Sequence, residues 1–226
     1  MVEIIPAIIA QNFDEVKEKI KLVESYADLV QLDISDGIFT TMKTWPFATN
    51  AAQGKDEPER LKEIETKLNF EAHLMISEPE KEIDRWIVSG VKRILIHIES
   101  TQKLPEILEK IKMADLEAGL VLCLQTPVEA LNSILISQYP NIRVIQLMGI
   151  SEIGYYGHPF SDQVLPKIME AKEKYDKLKI AVDGGINQET APKAAQIGAD
   201  ILIAGSAIFG GGDAGKAIEE LKKTLK

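Results

Sequence analysis

The chain has 226 residues, 45% of them hydrophobic and 27% charged, enough for a large core and within the span of one α/β barrel. Its net charge of −9 and pI near 5.0 exclude a nucleic-acid partner, since backbone phosphates call for clustered Lys and Arg. The one cysteine, Cys123, excludes an internal disulfide and a cysteine-rich metal site, and inside an apolar run it reads as a packing thiol.

Met1 leads at once into an apolar run at residues 4–9 without a basic leader, and no segment reaches membrane-spanning length, so no membrane partner and a cytoplasmic location are expected. Apolar, β-branched runs recur at residues 29–33, 70–75, 93–97, 119–124, 143–148, 179–183 and 201–204. Between them lie charge-rich stretches of helical period at residues 13–24, 79–89, 104–113, 127–136, 164–175 and 214–225. Eight such strand signals alternating with helical ones predict a (β/α)8 TIM barrel, a single domain over residues 1–226. The connections after the second and sixth strands are the long ones. Residues 40–50 carry Trp45, Pro46 and Phe47, and residues 149–160 carry three glycines and two tyrosines, so both read as loops over the barrel mouth.

In a parallel barrel all strand C-termini share one face. Asp33 and Asp183 each stand where an apolar run stops, so 150 positions of separation still leave both acids at one mouth, as acid/base chemistry requires. His73 falls near the end of the third strand. One imidazole and two carboxylates form a partial ligand set for a divalent cation that polarises a carbonyl. His97 ends the fourth strand and reads as structural or as support behind the ligands. Asp36, followed by Gly37, reads as turn chemistry.

Gly184-Gly185 follows the seventh strand and Gly205-Ser206 the eighth, where backbone N–H groups of barrels cradle phosphate. Gly154 and Gly157 are expected to complete that cradle, with His158 nearby. Met75 and Met148 close the third and sixth strands, as core filler or as an apolar cover over reacting carbons.

Several segments together resemble the ribulose-phosphate 3-epimerases: Pro6-Ala7-Ile8-Ile9-Ala10 with Phe13, Leu32-Asp33-Ile34-Ser35-Asp36-Gly37, Ala72-His73-Leu74-Met75, Thr126-Pro127, Val182-Asp183-Gly184-Gly185-Ile186-Asn187 and Ala204-Gly205-Ser206-Ala207-Ile208-Phe209. The resemblance implies a small phosphorylated sugar as substrate, a homo-oligomer, a divalent ion (zinc, manganese, iron(II) or magnesium) on the C2 and C3 oxygens, and Asp33 and Asp183 as the two acids exchanging the C3 proton. It implies Gln31, Asp33, His73 and Asp183 as the ion's ligand positions.

Gln31 stands where that family has histidine, and a carbonyl oxygen there suits harder ions. Ala7 and Ala10 replace two serines, Ile38 a histidine and Met42 an asparagine. Ile153-Gly154-Tyr155-Tyr156-Gly157-His158 replaces the usual Pro-Gly-Phe-Gly-Gly-Gln. Two functions follow: a metal-dependent 3-epimerase of a ketose phosphate, or a phosphosugar-binding protein that does not turn its ligand over. Other phosphate-binding barrels fit less well. No Asp-x-Lys-x-x-Asp cluster follows the third strand, and the sixth ends in Met148 where a Schiff-base aldolase needs lysine.

Overall fold

A computed structural model of the chain describes residues 2–48 and 57–225. Eight parallel strands close into a barrel in sequence order, with β8 returning to β1. They are β1 (Glu3–Ile8), β2 (Leu29–Ser35), β3 (Asn69–Met75), β4 (Arg93–His97), β5 (Glu117–Leu122), β6 (Ile142–Met148), β7 (Lys179–Asp183) and β8 (Ile201–Ala204). The helices are α1 (Phe13–Val23), α2 (Ile83–Ile87), α3 (Leu104–Met113), α4 (Val164–Lys174), α5 (Thr190–Gln196), α6 (Ser206–Phe209) and α7 (Ala214–Lys223). This is the (β/α)8 architecture the periodicity predicts.

Helix α1 shows how the sequence builds the outer layer. Asn12 caps it by accepting from the Glu15 N–H at 2.9 Å, while the Glu15 carboxylate reaches back to the Gln11 N–H at 2.9 Å. Phe13, Val16, Ile20 and Val23 then recur at helical spacing and are all buried. Two expected helices are shorter than their patterns. Residues 79–89 divide into a 3₁₀ turn, Pro79–Lys81, and α2. Residues 127–136 form no α-helix, only 3₁₀ turns over Val128–Ser133 and Ile136–Gln138. There the Ser133 hydroxyl donates to the Ala130 carbonyl, competing with the backbone ladder.

Both faces of the strands are buried, so alternation separates two cores. Val30, Leu32 and Ile34 of β2 pack outward beneath the helices, in one cluster with Ile20 and Trp86. Ile5, Ala7, Leu95, Val121, Val144 and Ala181 fill the barrel interior. Gln31 and Asp33 alternate with the outward set and share the interior with them. The Arg93 guanidinium donates to Glu71 Oε2 at 2.6 Å in this interior, offsetting the burial that raises the Glu71 carboxyl above its usual range.

The loop after β2 departs from expectation. Trp45 is core: it is 1% exposed, with its ring 5.5 Å from Phe13 and 6.2 Å from Trp86. Thr44 staples the strand end, donating to the Asp33 carbonyl and accepting from the Ser35 N–H, each at 2.8 Å. The part that approaches the mouth is earlier, where Thr40 packs against Gly154. Positions 49–50 of this loop lie outside the described residues.

Candidate active site

Strand register sets the site. Asp33 pairs with His73 between β2 and β3, and Met148 with Asp183 between β6 and β7. The Gln31 amide nitrogen donates to Asp33 Oδ1 and to Asp183 Oδ2, each at 2.7 Å, and lies 3.2 Å from His73 Nδ1. His73 Nδ1 is 3.1 Å from Asp33 Oδ1 and 3.3 Å from Asp183 Oδ2. Gln146 completes the group, donating to Asp183 Oδ2 at 2.9 Å. Sequence reading missed Gln146. Its signal is parity: it is a polar residue two positions before Met148, on the same inward face of β6.

The electrostatics follow from burial. Desolvation raises the Asp33 carboxyl above its ordinary range, aided by the Asp183 charge and opposed by His73 and Gln31. Burial alone would depress the His73 imidazole, but the carboxylates of Asp183 and Asp33 outweigh it and hold it up at about 9. Behind it, His73 Nε2 is 2.9 Å from His97 Nε2. His97 therefore packs directly behind His73, and burial with the adjacent His73 charge lowers it to about 4 despite Glu99.

The cleft above the acids is lined by Met75, Met148, Tyr156, His158 and the glycines of the β6, β7 and β8 loops. Gly154, Gly157, Gly184, Gly185, Gly205 and Ser206 are thus brought to one place. Gly185 has φ +71°, and a Cβ there would sit 2.5 Å from the Phe160 backbone. At Gly205 a Cβ would meet the Tyr156 ring at 2.3 Å. Tyr156 bridges the mouth, its hydroxyl donating to the Ala7 carbonyl at 2.8 Å and accepting from the Ile9 N–H at 3.0 Å. Asp36 makes the expected turn, accepting from the N–H groups of Ile38, Phe39 and Ser77. Cys123 does not pack inside a strand: β5 ends at Leu122, and the thiol is half-buried, 3.5 Å from His97 Nδ1.

Residues 3–209 match the model of the ribulose-phosphate 3 epimerase family. The chain belongs to that family. It is 33% identical to a ribulose-phosphate 3-epimerase of Bacillus subtilis over 98% of this chain and 99% of that one. It is 31% identical to the chloroplastic ribulose-5-phosphate-3-epimerase of Arabidopsis thaliana over 98% of this chain and 76% of that one. Among solved structures, 3-hexulose-6-phosphate synthase from Salmonella typhimurium shares the fold, with TM-score 0.70, 16% identity and coverage of 99% and 98%. No helix among the described residues is long and apolar enough to cross a membrane.

The residues at this epimerase-family centre fit a divalent ion. Asp33 Oδ1, His73 Nδ1 and Asp183 Oδ2 belong to side chains whose ligand atoms lie within 4.8 Å of one another. Gln31 Oε1 and Gln146 Oε1 are buried without a hydrogen-bond partner. A half-turn of the Gln31 amide would exchange its nitrogen for that orphaned oxygen, a hard donor atom of the kind such an ion takes.

Proposed function

We propose that the protein is a metal-dependent 3-epimerase of a ketose phosphate, interconverting ribulose 5-phosphate and xylulose 5-phosphate or a close analogue. The observation that carries this reading is the pair of acids, Asp33 on β2 and Asp183 at the end of β7, brought together across the barrel and bridged by one amide nitrogen. Inversion at carbon needs a base on one face and an acid on the other. One aspartate takes the C3 proton, the electron pair moves toward the C2 oxygen to give an enediolate, and the other aspartate returns a proton to the opposite face. Asp33, His73, Asp183 and the Gln31 oxygen would hold a divalent ion, which when bound would supply positive charge for the oxyanion.

Met75 and Met148, each 2% exposed, offer the intermediate no competing proton. The glycine loops and Ser206 provide backbone donors for the phosphate, and the partnerless Nε2 of His158 faces the same cleft. The free cavity is about 40 Å³, room for a few waters, and the Tyr156 loop forms part of its wall. A cytoplasmic location is part of this reading.

The test is deuterium incorporation at C3 of ribulose 5-phosphate in D₂O, followed by NMR with manganese, magnesium, zinc or iron(II) supplied. Metal-dependent exchange with xylulose 5-phosphate formation is expected. A second reading, a phosphosugar binder without turnover, draws on the Gln31 amide that already satisfies both carboxylates. Calorimetric binding of the ester without exchange under any metal would select it.

A further inference from the structure

Outside the reaction centre, the ends of β4 and β5 bring together a second set of metal-ligating atoms: His97 Nδ1, a Glu99 carboxylate oxygen and Cys123 Sγ, all within 4.8 Å of one another. We propose that His97, Glu99 and Cys123 form a second cation site, for a thiophilic divalent ion of the zinc class. Nδ1 of His97 lies 3.4 Å from Glu99 Oε2 and 3.5 Å from Cys123 Sγ. A tetrahedral ion with bonds of about 2.0–2.1 Å to nitrogen, 2.0–2.2 Å to oxygen and 2.3 Å to sulfur spaces those atoms by about 3.4 and 3.5 Å.

The carboxylate is already aimed. Glu99 Oε1 accepts from the Cys123 N–H at 2.8 Å and the carboxylate also bonds the Thr126 side chain, which together hold Oε2 beside His97 Nδ1. Thiolate and carboxylate together carry the two negative charges a divalent cation neutralises, and a sulfur ligand favours zinc or cobalt over magnesium. On binding, the Cys123 thiol gives its proton to solvent and the sulfur lone pair forms the metal bond. The Glu99 side chain is 24% exposed and Cys123 is half-buried, so solvent reaches the site and can fill the fourth position.

The second site also communicates with the first, a consequence that rests on the ion reading above. His73 Nε2 and His97 Nε2 lie 2.9 Å apart, a spacing with room for one hydrogen between them. An ion on His97 Nδ1 leaves that ring's hydrogen on Nε2, pointing at His73. His73 must then carry its own hydrogen on Nδ1, the atom that the reaction-centre ion needs as a lone pair. An ion at either site therefore weakens the other, by the same factor in each direction.

The experiment is a cobalt(II) titration of the purified protein, read in the near-ultraviolet for thiolate-to-cobalt charge transfer. One equivalent giving that band is expected, with the band absent in Cys123→Ser. X-ray absorption of the zinc-loaded wild type should show one sulfur neighbour and needs no variant to fold. Saturating manganese, which prefers the oxygen-rich centre, should weaken cobalt at the thiolate about tenfold. Cobalt bound without a thiolate band, together with zinc lacking a sulfur neighbour, would overturn the site. A cobalt affinity unmoved by manganese in a protein that still shows the band would overturn the coupling alone, and neither result depends on turnover.

Discussion

Gln31 and Asp183 meet at 2.7 Å across 152 positions of sequence, the amide nitrogen of the one donating to Oδ2 of the other. The same nitrogen donates to Asp33, so a neutral side chain stands where two buried carboxylates would otherwise face each other. This is how the barrel holds both acids together without help from outside the chain.

Replacing Gln31 with leucine removes that donor while keeping the volume apolar. The ion-free protein should lose about 2–4 kcal/mol, because hydrogen bonds to buried charges are the costly ones to leave unmade. Urea unfolding in chelator measures it, and an unchanged midpoint would show that water or Gln146 takes over the role. Gln31→His should shift ion preference toward zinc over manganese by about tenfold in competition calorimetry.

The two acids are separable by isotope. With Asp183→Asn, epimerisation should fall by about 10²–10⁴. Asp33 can still remove and return a proton on its own face, so C3 deuteration should persist in one epimer without inversion. Asp33→Asn should give the complementary pattern. If either variant inverts C3 at the wild-type rate, the two-acid mechanism is wrong.

In the ion-free protein His73 is held up at about 9 from an ordinary 6.5. A raised imidazole contributes stability that is present below pH 6.5 and lost as pH climbs through 9. The stability of chelated protein should fall by roughly 2 kcal/mol across that window. A denaturation series at pH 6.5 and 9 tests this, with His73→Asn expected to flatten the slope.

Tyr156→Phe deletes a hydroxyl that joins the β6 loop to the Ala7 carbonyl and the Ile9 N–H. A cost of about 1 kcal/mol is expected, with faster amide exchange at Ile9. Unaltered exchange there would mean that the loop is closed by Thr40 and Gly154 instead.

How much of this was legible depended on distance along the chain. Apolar, β-branched runs mark each strand among the described residues, and the parallel barrel follows from eight such runs interleaved with helical ones. Asp33 and Asp183 could be placed at one mouth from strand ends alone. Trp45 could not be placed, because an aromatic residue in a loop reads the same whether it covers a mouth or packs on Phe13 and Trp86. Helical spacing at residues 127–136 likewise looked sufficient until the Ser133 hydroxyl engaged the local backbone.

The sequence by itself determined the fold class and the family and placed Asp33, His73 and Asp183 at one end of the barrel, since these rest on local periodicity and on short motifs at strand ends. Only the tertiary structure decided that the Gln31 amide lies between both carboxylates, that Gln146 joins it, and that His97 connects His73 to Glu99 and Cys123. Those relations depend on how neighbouring strands are staggered around a closed barrel, and shear brings together residues that no sequence spacing connects.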